Sequence, residues 1–525
     1  MIRQTNAKRV FLLLSVLGHF ATANDPVVAC SITGISGTPV ETLNDPLFQV
    51  LKLATICPKN VMELRDLLKQ EGAQFFSTMV ANRGFHNPSA GSFSFFETVQ
   101  ISNPIHLGSA VDKDELFFGH FTASRDDTLT LDQNENLSGL MIESIAWDKD
   151  KEVYNFYELI GSAQGSRWFY RGDSTDIWSD ISKLHRKRSA SEPIFGSKLR
   201  CSGCHVSGGP IMKELSEPHD SWWRKERPLP FAGRVPDANM KDVMQSLLGP
   251  EDLRESTIKG QSRLVDGKGF EKKATLSPQI ALRPLFCPEE LNLQSSPWPL
   301  EIEIGKVNVP IEFFVDERLL AVTPPTSASK SDYEGALRRL RSKFPEINIL
   351  DGDHAWLSPV KSTSDEIAIS KLISNSTIDK KFVLDVLAVD MTRPVFSKQR
   401  CELLQLIPNQ WSANWKSVFR ENLSSSSLRA ASELLENMNT DEGSIRDRAA
   451  RYLNECSQRL QEQSGVLSLV KYLDQTRKEI SASEISTNPL GQILEPGFRV
   501  IFPKFWSSAE VPWRTSLSET TCLPE

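Results

Sequence analysis

Several patterns that would point directly to a function are missing from this chain of 525 residues. After residue 23, no apolar run approaches the roughly 20 residues that a membrane-spanning helix needs. We find no glycine-rich phosphate loop, no His-Glu-x-x-His motif, no internal repeat and no local pattern that singles out a Ser/His/Asp triad. The sequence therefore gives no sign of a phosphate-loop nucleotide site, a zinc peptidase or a triad hydrolase.

The charge balance argues against nucleic-acid binding. The chain has 60 Lys and Arg residues against 67 Asp and Glu residues, and its formal net charge is −7. A nucleic-acid-binding protein is expected to gather its basic residues on one face, and no such clustering is evident. The length exceeds what one hydrophobic core usually holds, so two or three domains are expected.

The first 23 residues have the pattern of a secretory signal peptide. Arg3, Lys8 and Arg9 form a basic region, residues 10–17 are apolar, and residues 21–23 (Ala-Thr-Ala) fit a cleavage site. A membrane anchor is the alternative, but the apolar run is too short by more than half. Cleavage would change the formal net charge from −7 to −10. We therefore expect an exported protein without a membrane span in its mature form, which in a bacterial source means a periplasmic one.

The most informative motif is Cys201-Ser202-Gly203-Cys204-His205, a Cys-x-x-Cys-His pattern. Two thiols three positions apart can add to the two vinyl groups of one haem, and the imidazole that follows can ligate its iron. The pattern predicts one covalent haem c, attached through Cys201 and Cys204, with His205 as the proximal iron ligand. Attachment of this kind takes place outside the cytoplasm, in agreement with the export signal.

Six cysteines remain after this assignment. An even number in an oxidising compartment predicts up to three disulfide bonds, with 15 possible pairings. Buried free thiols are the alternative. The six residues are Cys30, Cys57, Cys287, Cys401, Cys456 and Cys522.

The second axial position of the iron decides between electron transfer and small-molecule chemistry. Met240 lies 35 residues after His205, within easy reach of the opposite face of a haem, and is the preferred second ligand. His219 also has sufficient reach. Met212 follows after only seven residues, which strains the chain. Each methionine could equally be a core residue, and an open site is a further alternative.

Several other side chains that could act on a haem have two interpretations each. His120, which lies among aromatic residues, could be a distal histidine or an ordinary core or surface histidine. Trp222 and Trp223 could form a radical relay or simply pack against the porphyrin. Six basic residues could bind the haem propionates or an acidic donor, although a solvated loop explains them equally well. They are Lys183, Arg186, Lys187, Arg188, Lys198 and Arg200.

The hydrophobic pattern predicts an α+β fold. Segments 92–99, 115–118, 139–145 and 153–157 are rich in aromatic and β-branched residues, with spacings typical of an antiparallel meander. Alternation over 300–313, interrupted at Gly305-Lys306, predicts a hairpin with one buried face. Residues 323–329 have the composition of a linker, and we place a domain boundary there.

The remainder of the chain is predicted to be mostly helical. Ile367, Leu372 and Ile373 have helical spacing, as do residues 428, 434 and 435. Ser444 and Asp447 fit a capping box before a helix that runs through Leu460. The resulting division is a signal peptide (1–23), a β-rich domain (24–190), a haem-binding segment with the hairpin (191–322) and a mainly helical domain (333–525).

At residues 201–205 the chain resembles the c-type cytochromes, over those five residues and up to sixty that follow. The resemblance implies that Cys201 and Cys204 attach the haem and that His205 ligates it. A β-rich region before the motif is similar to the cytochrome c′-beta group and its hydroxylamine-oxidising relatives, in which a sheet frames a haem with an open or capped distal side. Di-haem peroxidases and di-haem rubber-type oxygenases carry two such motifs, whereas this chain has one.

Three functions are compatible with these observations. The preferred one is electron transfer with a redox partner protein. The second is a haem-dependent oxidoreductase, acting on peroxide or nitrogen oxides, or a gas sensor with an open site. The chain is far longer than an electron carrier needs. The extra residues could bind a substrate, as this second function requires, or could equally dock a large partner protein. The third takes Cys201 and Cys204 as a thiol–disulfide pair, for which the surrounding βαβ pattern is missing.

Overall fold

The structure, a computed structural model, has an α+β architecture, as the sequence predicted. A seven-stranded sheet occupies the N-terminal half, and helices dominate the C-terminal half. The residues that the structure describes are 30–80, 92–123, 128–129, 140–162, 165–179, 205, 207–210, 235–236, 238–288, 291–295, 301–340, 357–472, 500–501 and 516–524.

The large sheet is an antiparallel meander of β2, β3, β4, β6, β7 and β8, with β1 added in parallel beside β8. Its strands β3, β4, β6 and β7 confirm the four strand segments predicted from the sequence. The strands, numbered along the chain, are β1 (Ile32–Thr33), β2 (Gln74–Val80), β3 (Ser92–Gln100), β4 (Leu116–Ala123), β5 (Thr128–Leu129), β6 (Leu140–Asp148), β7 (Val153–Ser162), β8 (Gly165–Asp173), β9 (Val235–Pro236), β10 (Leu291–Ser295), β11 (Glu301–Glu303), β12 (Lys306–Asn308), β13 (Ser327–Ser329), β14 (Leu357–Lys361) and β15 (Val500–Ile501).

The helices lie mainly before and after this sheet in the sequence. They are α1 (Pro46–Leu53), α2 (Val61–Gln70), α3 (Ser174–Ser179), α4 (Ala238–Gln245), α5 (Pro250–Asp266), α6 (Lys268–Leu276), α7 (Pro278–Phe286), α8 (Lys330–Leu340), α9 (Thr363–Ser374), α10 (Lys380–Leu387), α11 (Lys398–Leu403), α12 (Trp415–Ser424), α13 (Arg429–Asn439) and α14 (Glu442–Arg459), with 3₁₀ turns at Ile311–Phe313, Glu317–Leu319 and Leu404–Leu406.

Successive strand residues point to opposite sides of the large sheet, and residues on both of its faces are buried in a core. On one face Phe118 packs in a core to which α1 and α2 also contribute. On the other face its neighbour Phe117 packs with Phe156 and with Trp178 of α3. The second face carries the residues discussed below.

A separate apolar core extends through the C-terminal half, from Val265 to Cys522. Helix α9 confirms the helix predicted around Ile367, and α13 confirms the one predicted from residues 428–435. Among the described residues, no helix is both long and apolar enough to cross a bilayer.

The predicted hairpin is present, but it is shorter than expected. Strands β11 and β12 pair in antiparallel fashion, and Gly305 adopts a φ of 82° in the turn between them. The second strand ends at Asn308. Residues Ile311–Phe313 form a 3₁₀ turn instead, although Ile311 and Phe313 are still buried.

The interpretation of 323–329 as a linker is wrong for its last three residues, which form β13 and pair with β12. Ala328 is buried, so this polar-looking segment contributes to the core. Thr326 fixes the segment through two hydrogen bonds with Val309. Its hydroxyl donates to the Val309 carbonyl, and its own carbonyl accepts from the Val309 N–H.

The predicted cap of the last long helix is displaced by one turn. Helix α14 begins at Glu442, and its N-cap is Asp441, whose carboxylate accepts hydrogen bonds from the backbone N–H of Ser444 (2.9 Å) and from its hydroxyl (2.6 Å). Ser444 is therefore the third helical residue. An aspartate three residues before it offers a stronger acceptor than the serine hydroxyl for the exposed N–H groups.

The six remaining cysteines form three disulfide pairs, as the sequence allowed. The pair Cys287–Cys401 joins residues on both sides of the predicted domain boundary, so the two segments are covalently connected. The pairs and their Cα–Cα distances are Cys30–Cys57 (4.8 Å), Cys287–Cys401 (4.5 Å) and Cys456–Cys522 (5.0 Å).

Candidate functional site

The described part of the Cys-x-x-Cys-His region consists of His205 and the loop Ser207–Pro210. Cys201 and Cys204 lie outside the described residues. So do Met212, His219, Trp222, Trp223 and the six basic residues singled out above. His205 is half-buried, and Ser207 to Pro210 are buried against the second face of the large sheet.

The loop after His205 makes a tight turn. The backbone N–H of Gly208 donates to the carbonyl of His205 at 2.8 Å. Gly208 has a φ of 83°, and a Cβ at this position would come within 2.6 Å of the Trp178 indole nitrogen. Both the backbone conformation and the close approach of Trp178 therefore require glycine.

The turn brings the imidazole of His205 back to the chain that follows it. Nδ1 of His205 lies 2.9 Å from the carbonyl oxygen of Gly209. A carbonyl oxygen can only accept, so Nδ1 carries the proton and the ring lone pair is on Nε2 in the neutral imidazole. In this tautomer Nε2 is the ring nitrogen whose chemistry suits metal ligation.

The carbonyl groups of the loop each have a side-chain donor. Helix α3 supplies two of these donors, helix α5 supplies a third, and His205 itself supplies the fourth. The hydrogen bonds are Trp178 Nε1 to Ser207 O (2.8 Å), Ser174 Oγ to Gly208 O (2.6 Å), His205 Nδ1 to Gly209 O (2.9 Å) and Gln261 Nε2 to Pro210 O.

Helix α5 approaches the loop very closely. A Cβ on Gly260 would lie 2.8 Å from Cγ of Pro210 and 2.7 Å from the hydroxyl of Tyr154. That hydroxyl donates to the carbonyl of Asp114 at 2.6 Å, so the tyrosine cannot move away without losing the bond. The glycine allows the neighbouring Gln261 to reach the loop, and its amide also donates to the Ser207 hydroxyl at 3.1 Å.

The large sheet contacts the imidazole directly. The ring of Phe156 in β7 lies against that of His205, with centroids 5.4 Å apart. Two residues further along the same face, Glu158 forms a buried ion pair with Arg171 at 2.7 Å; the two side chains are 0% and 4% exposed. An aromatic ring therefore lies beside His205, and a buried ion pair of opposite charges lies next along the same strand face.

The backbone of His120 lies in strand β4, where it pairs with Ile142 of β6. The side chain of His120 lies outside the described part of the structure, so its distal role stays a prediction.

Met240 lies in helix α4, whose backbone the structure describes. Shortly after this helix, the N–H of Leu248 donates to the carbonyl of Ser77 in β2 at 2.8 Å. Helix α5 begins at Pro250 and leads to Gln261. The segment with Met240 is thus connected to the sheet and to the helix that contacts the His205 loop.

A charged cleft of about 640 Å³ runs along α5 but does not include His205. Its charges compensate one another: Lys113 pairs with Asp252 at 2.9 Å, and Arg263 pairs with Asp114 at 2.7 Å.

Sequence reasoning identified His205 but missed Trp178, Ser174 and Gln261. The available signals were indirect: two consecutive glycines after the motif and one glycine in the interior of a helix. No family model, curated protein or solved structure matches the chain.

Proposed function

We propose that this chain is an exported c-type haem protein that takes part in electron transfer, with one haem attached through Cys201 and Cys204 and ligated by His205. The observation that carries the proposal is the hydrogen bond from His205 Nδ1 to the Gly209 carbonyl. A metal-ligating histidine almost always donates its other ring N–H to a carbonyl, carboxylate or water. His205 and the Gly209 carbonyl therefore fit a haem, the group that the motif predicts.

The surroundings of His205 support the same proposal. A bound haem supplies one-electron exchange between ferrous and ferric iron. The Gly209 carbonyl holds the Nδ1 proton and orients the imidazole, while Phe156 covers the ring from the side of the sheet. The apolar residues around Phe156 suit a large apolar cofactor, because water is excluded on that side.

Met240 is proposed as the second axial ligand. Its place in α4, between the motif and helix α5, keeps the segment close to the element that contacts the His205 loop. A thioether ligand would hold the iron six-coordinate and favour electron transfer over small-molecule binding. The partner would be another redox protein, and the three cysteine pairs are compatible with an oxidising compartment such as the periplasm.

Covalent attachment is the first test. After acid–acetone extraction the haem should stay with the polypeptide, and the intact mass should exceed that of the mature apoprotein by one haem. A Cys201→Ala/Cys204→Ala variant should lose covalent haem, whereas Cys30→Ala/Cys57→Ala, which removes a disulfide pair, should keep it. Release of all haem from the wild type into the organic phase would overturn the proposal.

The second axial ligand decides the functional class. If Met240 ligates the iron, the oxidised protein should show the weak near-infrared sulfur-to-iron band, and carbon monoxide should bind the reduced protein poorly. Met240→Ala should abolish the band and admit carbon monoxide. Met244→Ala, one turn further along α4, should leave both properties unchanged. Immediate binding of carbon monoxide by the wild type would instead favour an oxidoreductase or a gas sensor.

A further inference from the structure

We infer that Trp178, Ser174 and Gln261 are positioning residues that hold the Gly209 carbonyl against His205 and thereby set the reduction potential of the haem. This inference rests on the proposed function, because it assumes that His205 ligates a haem iron. It goes further in assigning control of the iron to side chains that lie outside the haem motif.

The hydrogen bonds around the loop form a complete series. Each of the carbonyls of residues 207, 208 and 210 accepts from one of these three side chains, and the carbonyl between them accepts from His205. The orientation of the Gly209 peptide groups is therefore determined on both sides. A shift of the loop would break at least one of these bonds.

The three donors are deeply buried and come from two helices, α3 and α5. Trp178 is 1% exposed, Ser174 0% and Gln261 3%. A buried donor that loses its acceptor costs about 1–3 kcal/mol. The loop is thus held by donors that have no access to water as a substitute partner.

Close packing removes the remaining freedom of the loop. A Cβ on Gly209 would come within 2.9 Å of the Gln261 side chain, and one on Gly208 would meet Trp178. The backbone is consequently in contact with the same two side chains that donate to it. Helix α9 closes this region from the C-terminal half, where Ala368 lines a small cavity together with Trp178 and Gln261.

The link to the iron is electronic. A strong hydrogen bond from Nδ1–H to a carbonyl gives the imidazole partial imidazolate character and raises its basicity. A more basic ligand stabilises ferric over ferrous iron and lowers the reduction potential. Loosening the Gly209 carbonyl should therefore weaken the bond and raise the potential.

Two pairs of variants test this with matched controls. Trp178→Phe and Gln261→Met remove a donor while keeping most of the side-chain volume. Trp168→Phe and Gln279→Met are the controls, because Trp168 donates to the Pro58 carbonyl at 3.0 Å and Gln279 to the Ile407 carbonyl at 2.8 Å, both away from the loop. Haem content, midpoint potential and deuterium exchange of the His205 Nδ1 proton are measured for each purified full-length protein.

We expect both site variants to retain haem, to exchange the Nδ1 proton faster and to shift the potential upward. The ratio of reduced to oxidised protein at a fixed potential should increase at least threefold, about 28 mV at 59 mV per tenfold change for one electron. The controls should lose comparable stability without such a shift. Should one site variant fail to fold, Ser174→Ala provides the same measurement through the Gly208 carbonyl.

Three contrary results have different meanings. Unchanged potentials and exchange rates in site variants that contain haem would overturn the inference and leave the proposed function intact. The same shift in the controls would also overturn it, since the effect would then reflect general loosening of the fold. A wild type without haem would overturn both the inference and the proposed function.

Discussion

The imidazole of His205 packs against the ring of Phe156, with centroids 5.4 Å apart and ring planes inclined by 52°. This contact joins a histidine of the Cys-x-x-Cys-His motif to the centre of β7, a strand paired on both sides in the large sheet. The sheet thus forms one wall beside His205, and changes at Phe156 should alter the surroundings of the proposed haem.

Replacing Phe156 with alanine should affect both stability and the haem. Phe156 is 1% exposed, and truncating a buried phenylalanine costs about 3–5 kcal/mol in the free energy of unfolding. The haem absorption spectrum should shift as well, because the wall beside His205 is lost. Phe118→Ala, on the other face of the sheet, should cost similar stability and leave the spectrum unchanged. Equal spectral shifts in both variants would contradict the assignment of the site to this face.

The ion pair of Glu158 and Arg171 should be costly to break on one side only. Glu158→Gln would leave a buried guanidinium without its charged partner, which typically costs about 3–5 kcal/mol in unfolding free energy. The double variant Glu158→Gln/Arg171→Met should recover much of this loss. Denaturant unfolding of the two proteins distinguishes these outcomes, and a double variant less stable than the single one would refute the argument.

Asp45 should make the folding stability pH-dependent in an unusual direction. Burial raises the pKa of Asp45 from 3.8 to about 6, despite its hydrogen bonds with Tyr157, Phe48 and Asn155. The folded state therefore binds the proton more tightly than the unfolded state, and stability falls as the pH rises from about 4 to about 6. The expected loss is about 3 kcal/mol. The difference in unfolding free energy between wild type and Asp45→Asn should decrease across this window; a constant difference would be inconsistent with it.

Asp316 should show the opposite dependence. Burial alone would raise the pKa of its carboxyl, but Lys361 at 3.0 Å and Arg318 nearby lower it from 3.8 to about 2. Stability from this group is present above pH 4 and is lost as the pH falls to about 2, by about 2 kcal/mol. Unfolding of Asp316→Asn at several pH values tests this. Its deficit relative to the wild type should shrink only below pH 4.

The three disulfide pairs predict a thiol count and an order of stabilisation. Denatured, unreduced protein should show none of the six cysteines as free thiols. The chain-entropy model gives about 3.6, 4.4 and 4.8 kcal/mol for loops of 27, 66 and 114 residues. Paired Cys→Ala variants should therefore lower the melting temperature least for Cys30–Cys57 and most for Cys287–Cys401. Finding six free thiols would rule these bonds out.

Local patterns predicted those parts of the fold whose physical cause is local. The aromatic and β-branched residues from which β3, β4, β6 and β7 were predicted contribute to the cores on the two faces of the sheet. The segment 323–329 was misread because its Thr, Pro and Ser residues are typical of linkers. The pairing of β13 with β12 depends instead on residues 19 to 23 positions earlier, and Ala328 is buried there. The cap at Asp441 was missed because Ser444, three residues later, fits the same pattern.

The candidate site divides in the same way. The sequence alone determined that Cys201, Cys204 and His205 are close along the chain, at the spacing that the proposed haem would require. Only the tertiary structure could decide which groups surround His205. Trp178 and Gln261 lie 29 and 54 residues away from Ser207, which they both contact, and no local pattern relates them. They meet there because a buried loop must find donors for its carbonyls, and the fold determines which side chains are close enough to supply them.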